Sequence, residues 1–248
     1  MDLLKSRQNA EIRSLRALSA DAEKREASEL FVCDGKKLFS EAIRSGAEIT
    51  KVFWKECRDE SVSVFPQEYL LPGELFEYAS PMKHSPGPVF TVRMKKAPQN
   101  LRPNRVVILE GVQDPGNVGT VLRAADAFGI DLVVLLDGCA DLYAPKTVRA
   151  TMGAIFRQQV LRLDRDTALA RCREWGLPVY GAALSPRAVD LRELSLNACA
   201  VAIGSEGRGL SAELLAACER ELIIPMRGAA ESLNAAMAAT VVMWEMLR

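Results

Sequence analysis

The residues of this chain best suited to chemistry fall in three short segments, each directly behind an apolar run. The first extends from Glu110 to Arg123 and contains Asp114-Pro115-Gly116-Asn117. The second is Gly204-Ser205-Glu206-Gly207-Arg208-Gly209-Leu210-Ser211. The third is Ile224-Pro225-Met226-Arg227-Gly228, continuing to Glu231-Ser232-Leu233-Asn234. Glycines let main-chain donors and acceptors come close to a ligand. An amide, a guanidinium, a carboxylate and a hydroxyl are the groups that align a reactant and move a proton. Taken singly, each segment has a plain structural explanation. Asp-Pro-Gly-Asn makes a turn and helix entry, with Asn117 as N-cap. The glycine run serves as a loop, and Ser232 caps the last helix. Three such loops, each behind a strand of one domain, argue for a site instead.

The strands that carry these loops are short and continuously apolar: 106–109, 132–136, 160–163, 179–183, 200–203 and 222–224. Helices are expected between them, at 117–128 and 166–175, with a final helix at 232–247. This alternation predicts an α/β domain with a mostly parallel sheet covered on both faces. In such sheets ligands bind at the carboxyl ends of the strands, where all three loops stand. The final helix is apolar almost all round, so more than one side must be covered.

A second block precedes this one. It begins with a charged helix at 9–28. A strand at 30–33, a helix at 36–45 and a strand at 49–54 follow, with further strands expected at 75–78 and 89–92. A polar stretch with two prolines separates the blocks. The expected division is 1–97 as a smaller α/β domain, 98–104 as linker and 105–248 as the larger domain that carries the three loops.

Composition narrows the alternatives. Lys plus Arg and Asp plus Glu are 32 each, so any basic patch must be local. The six cysteines include no Cys-x-x-Cys pair and His84 is the only histidine, so no metal site is expected. No stretch of 18 uncharged apolar residues occurs, and the charged N-terminus is not that of a signal peptide. A soluble cytoplasmic protein without a membrane partner is expected. No Gly-x-Gly-x-x-Gly follows a strand, and neither a P-loop sequence nor the Gly-x-Ser-x-Gly of a hydrolase elbow occurs.

In order, spacing and the Ile-Pro-Met…Ser-Leu-Asn signature, the three segments resemble the motifs of the SpoU/TrmH family of RNA 2′-O-ribose methyltransferases, in the SPOUT superfamily. The resemblance covers about residues 106–248. One departure is Ala235, where the family usually has Val. The first block is similar to the family's RNA-binding domain in Asn9, Phe31–Phe39 and Ser85–Val92. The resemblance implies a C-terminal trefoil knot, S-adenosylmethionine as methyl donor and a homodimer packed through the last helix and the helix after the first motif. It implies cofactor contacts at Ile203, Gly204, Ser205, Gly207, Ile224, Met226 and Leu233. It implies catalytic roles for Asn117, Arg123, Glu206, Ser232 and Asn234.

In related proteins the arginine has been proposed to activate the hydroxyl. A guanidinium holds its proton to above pH 12 or so. The chemistry therefore favours Arg123 as a phosphate clamp, with Glu206 or a substrate phosphate as proton acceptor. Ser232 and Asn234 would orient Arg123, the ribose or the cofactor loop. Ribosomal RNA is the expected substrate and transfer RNA the second. Arg7, Asn9, Arg13, Arg16, Lys36 and Lys37 are the expected RNA contacts of the first block, although each also reads as ordinary surface. A catalytically silent RNA-binding relative is the competing reading.

Overall fold

The computed structural model describes residues 1–98, 100–228 and 232–248, which leaves Gln99 in the expected linker and Ala229 to Glu231 in the third segment outside the described residues. The chain divides into two compact units. One is Met1–Lys96 with Asp141–Phe156, and the other is Ala97–Ala140 with Arg157–Arg248.

The first unit contains β1 (Asp2–Leu3), α1 (Ala10–Ala20), α2 (Ala22–Ser28), β2 (Leu30–Asp34), α3 (Lys36–Arg44), β3 (Ile49–Lys55), β4 (Glu68–Leu71), α4 (Gly73–Ala79) and β5 (Val89–Arg93). Its mixed sheet runs β1-β4-β3-β5-β2. The single helix expected at 9–28 is two helices. Asp21 breaks it, because its carboxylate accepts the amides of Glu23 and Lys24 and starts α2. The strand expected at 75–78 is α4, with Leu75, Phe76 and Ala79 buried at helical spacing. Four apolar-rich residues are too few to separate the two periods.

The second unit opens with β6 (Arg105–Glu110), α5 (Pro115–Ala127) and β7 (Leu132–Leu135). The chain then leaves for the first unit, where α6 (Pro145–Ala150) lies. There Phe31 meets Tyr143 at 4.8 Å and Phe156 at 6.3 Å between ring centroids. Burying these rings is the physical reason that 141–156 folds apart from the rest of 105–248. The second unit resumes with β8 (Val160–Arg162), α7 (Arg165–Trp175), β9 (Val179–Ala182), β10 (Val189–Asp190), β11 (Cys199–Gly204), α8 (Ala212–Ala217), β12 (Arg220–Ile223) and α9 (Ala235–Glu245).

All ladders of this second sheet are parallel, in the order β10-β12-β9-β11-β6-β7-β8. The sheet is an α/β core of the expected kind, with Val106, Ile108, Leu132, Val134, Ala200 and Ala202 buried in one cluster. Burying each valine, isoleucine or leucine among them is worth about 1.5–3 kcal/mol. Register aligns Gly204 with Glu110 and Leu222 with Ala182, so the ends of these strands, and the loops behind them, stand side by side. Among the described residues no helix is long and apolar enough to cross a membrane.

Candidate active site

The three loops meet at the carboxyl edge of the seven-stranded sheet. The first motif enters α5 through Asp114, whose carboxylate accepts the Asn117 amide at 3.0 Å. Asp114 is therefore the N-cap, and Pro115 takes the first helical position that proline favours. This corrects the expectation that Asn117 is the cap. Its side chain is instead free to turn toward the second and third loops.

The second loop folds back on its own strand. Gly209 donates its amide to the Ser205 carbonyl at 2.9 Å and adopts a left-handed φ of 65°. That conformation favours glycine. A Cβ on Gly204 would collide with the main chain of Gly209 and Leu210. The exit is tied down by Glu110, which accepts the Ser211 amide at 2.7 Å and its hydroxyl at 2.8 Å. Ser211 in turn caps α8.

The third motif enters α9 through Asn234. Its Oδ1 accepts the amides of Ala236 and Met237, so Asn234 is the cap and Ser232 is not. Its Nδ2 donates to Asn117 Oδ1 at 3.1 Å and to Glu206 Oε1 at 3.3 Å. Asn117 Nδ2 also donates to Glu206 Oε1. One residue from each loop thus joins a single amide–carboxylate cluster. Glu206 Oε2 has no hydrogen-bond partner among the described residues, which leaves it open to a further donor.

Beside this cluster lies a cavity of about 460 Å³, within the usual range for small-ligand sites. Ile203, Gly204, Ser205, Gly207, Ile224, Met226 and Leu233, the residues expected at a cofactor, all line it, and so do Glu206 and Ser232. Its wall combines apolar side chains with the folded-back glycine loop, a surface suited to a flat heterocycle read by main-chain groups. Two further contributions were not expected from the sequence. One is the strap behind β9, Ala182 to Ser185; the other is Ala235 and Ala238 of α9. The rule that ligands gather behind parallel strands applies equally to β9 and was the available signal.

Arg123 stands apart. It is exposed on α5 and, among the described residues, makes no hydrogen bond or ion pair, including with Ser232 or Asn234. Six residues separate it from Asn117, and at about 100° per residue the two point from different sides of the helix. Burial pushes the thiols of Cys199 up to about 12 and of Cys172 and Cys218 up to about 11. These cysteines stay protonated and are no nucleophiles. Among the described residues no group of three or more His, Cys, Asp or Glu could hold a metal.

In the first unit, Asn9 caps α1, Lys37 pairs with Glu41 at 3.0 Å, and Arg7 and Arg16 lie over the Tyr78 ring. Arg13 and Lys36 are exposed.

Comparison with known proteins places this geometry in a family. Residues 104–244 match the SpoU rRNA methylase family model. The chain is 31% identical, over 99% of both proteins, to the 23S rRNA (guanosine(2553)-2′-O)-methyltransferase RlmP of Bacillus subtilis. It superposes on a TrmH-family protein from Porphyromonas gingivalis with a TM-score of 0.85 at 33% identity, covering 98% of each chain. With the AdoMet-bound rRNA methyltransferase from Sinorhizobium meliloti the TM-score is 0.88 at 27% identity, covering 98% of this chain and 96% of that one. Motifs, parallel sheet and full-length likeness agree: the chain belongs to the SpoU rRNA methylase family.

Proposed function

We propose that the protein transfers a methyl group from S-adenosylmethionine to a ribose 2′-hydroxyl of ribosomal RNA. The observation that carries this reading is the Asn117–Glu206–Asn234 cluster at the mouth of the cavity behind β11 and β12. The relatives' rRNA substrates and the AdoMet-bound neighbour support the choice of donor and acceptor.

When bound, S-adenosylmethionine supplies an electrophilic methyl group. Ile203, Ile224, Met226 and Leu233 would hold its apolar parts, and the main chain at Gly204, Ser205 and Gly207 would read its polar edge. The remaining work falls to the chain's own groups. The 2′-oxygen must be aligned and must lose its proton as it forms the new bond to carbon. Alignment of two reactants is worth up to about 7–11 kcal/mol of barrier. Glu206 is held by two amides at Oε1, and its Oε2 is the acceptor for the hydroxyl proton. Arg123, which meets no carboxylate among the described residues, grips the RNA phosphate and steadies charge on the ribose. Ser232 contacts the ribose or the donor.

The active form is a homodimer. On α9 and in the turn that follows it, Met237, Val241, Trp244 and Leu247 are exposed, Met237 and Trp244 by more than 60%. Phe128, just after α5, meets Trp244 edge-on at 5.9 Å. Exposed apolar residues of this kind call for a covering surface. The family's C-terminal trefoil knot is part of the same reading, as is the cytoplasm as the place of an RNA reaction.

The test is transfer of labelled methyl to an unmodified 23S rRNA transcript, followed by mass spectrometry of the digested nucleosides. The expected product carries the methyl on the sugar fragment. A base-borne methyl, or none, refutes the proposal. The same assay on transfer RNA tests the second substrate class.

A further inference from the structure

Several cations of the first unit are neutralised. Lys37, Lys51, Lys55, Arg58, Arg93 and Lys96 each meet a carboxylate within 3.0 Å. The segment from Lys5 to Arg16 is different. Its single acidic residue, Glu11, is taken by Lys51. Lys5, Arg7, Arg13 and Arg16 make no ion pair with any described residue. Two of these free guanidiniums converge on one ring, with Arg7 Cζ 4.5 Å and Arg16 Cζ 4.0 Å from the Tyr78 centroid. Arg16 Nη1 also donates to the Tyr78 carbonyl at 2.8 Å. Tyr78 is half-buried on α4 and packs against the core of the unit, so the ring is a fixed seat.

A guanidinium held over a ring keeps N–H donors that the ring does not use for a partner. Two such groups held on one ring repel one another until an anion neutralises them. The ring holds them in place beforehand and so reduces the ordering cost of binding. Their planar forks match a phosphodiester bidentately. We propose that Arg7 and Arg16, seated on Tyr78, form a preorganised phosphodiester clamp through which the first unit grips its RNA. Tyr78 is the positioning residue. This proposal rests on the reading of the protein as an RNA methyltransferase.

The test uses the full-length protein with an unmodified 23S rRNA transcript. Arg7→Gln with Arg16→Gln is expected to weaken RNA binding about tenfold or more, since hydrogen bonds to charged groups are individually worth about that factor. The slope of log affinity against log salt should flatten by about 1.4, for two lost phosphate contacts on single-stranded RNA. The loss should appear in KM for RNA rather than in kcat, with S-adenosylmethionine affinity unchanged. Arg7→Lys with Arg16→Lys should keep the slope and still lose affinity. Tyr78→Phe should bind as wild type and Tyr78→Leu should fall between, with melting temperature checked for each. Wild-type binding by the Gln pair, in an enzyme that methylates RNA, would overturn the clamp and leave the proposed function standing. Wild-type affinity for the Lys pair would overturn the role of the stacked forks. An enzyme that methylates no RNA would remove the reading beneath both.

Discussion

Asn234 donates its side-chain amide to the Asn117 side-chain oxygen at 3.1 Å, across 117 positions of sequence. The oxygen of the same Asn234 side chain caps α9. One side chain therefore starts a helix and joins the carboxylate cluster. The two roles separate by substitution. Asn234→Asp keeps the capping oxygen but loses the amide donor and places a second negative charge against Glu206. Its stability should stay within about 0.5 kcal/mol of wild type while methyl transfer falls about a hundredfold, the usual loss for a small misplacement. Asn234→Ala should lose activity and about 1 kcal/mol of stability as well. Denaturant melts and initial rates measure the two effects.

Arg123→Ala should reduce methyl transfer by about 10²–10³, comparable to removal of one transition-state donor. Affinity for S-adenosylmethionine should change less than twofold or so, because Arg123 does not line the cavity. Calorimetry of donor binding beside single-turnover kinetics tests this. Equal losses in both would show that Arg123 acts on the donor and not on the RNA.

Gly204 and Gly207 lie three positions apart in one loop and should respond differently. A methyl at Gly204 meets the main chain of Gly209 and Leu210, whereas one at Gly207 meets nothing within 4 Å. Gly204→Ala should cost about 1–3 kcal/mol by overpacking and weaken donor binding strongly. Gly207→Ala should leave stability unchanged. Urea titration of both variants decides the matter.

Trp244→Glu should convert the protein to a monomer with its secondary structure intact. The substitution places a charge among the exposed apolar residues of α9. Light scattering behind size exclusion gives the mass, and circular dichroism checks the fold. A monomeric wild type would refute the homodimer.

Asp34, at the end of β2, has its carboxyl pushed up by burial, partly offset by hydrogen bonds from Ser80 and Ser85. The folded state therefore keeps the Asp34 proton to higher pH than the unfolded chain does. Its contribution to stability is full below the ordinary aspartate value and is lost as pH rises through the raised one. The stability difference between wild type and Asp34→Asn should accordingly shift against the wild type as pH climbs from about 4 to 7. Carboxylates that do not interact with Asp34, such as Glu68 and Asp164, are held below their usual range and change in the opposite direction. They cancel in the difference.

Much of the second unit was legible because its strands are continuous apolar runs, and the three motifs lie directly behind them. The helix caps were not. Asp114-Pro-Gly-Asn117 offers two good capping side chains, and so does Ser232-Leu-Asn234; sequence alone ranks them nearly equal. Proline's preference for the first helical position decides the first case. In the second, the amides of Ala236 and Met237 fall within reach of Asn234. Tyr78 escaped notice because 75–78 looked like a strand, in which its ring would have alternated with its neighbours. On α4 it meets two arginines from the opposite end of the unit's sequence. The placement of Asp141–Phe156 was equally hidden, since aromatic partners such as Phe31 and Tyr143 are more than a hundred positions apart.

That excursion means the polypeptide passes between the units three times, after Lys96, Ala140 and Phe156. A fragment ending at Lys96 would lack Asp141, the ion-pair partner of buried Arg25, and the rings that cover Phe31. A fragment beginning at Asn104 would carry those rings with nothing to cover them. A nick between 97 and 104 should therefore yield two pieces that co-purify under native conditions and part only in denaturant. Recombination at that seam cannot exchange the first unit as a cassette; a working chimera must carry 141–156 along with its matching N-terminal partner.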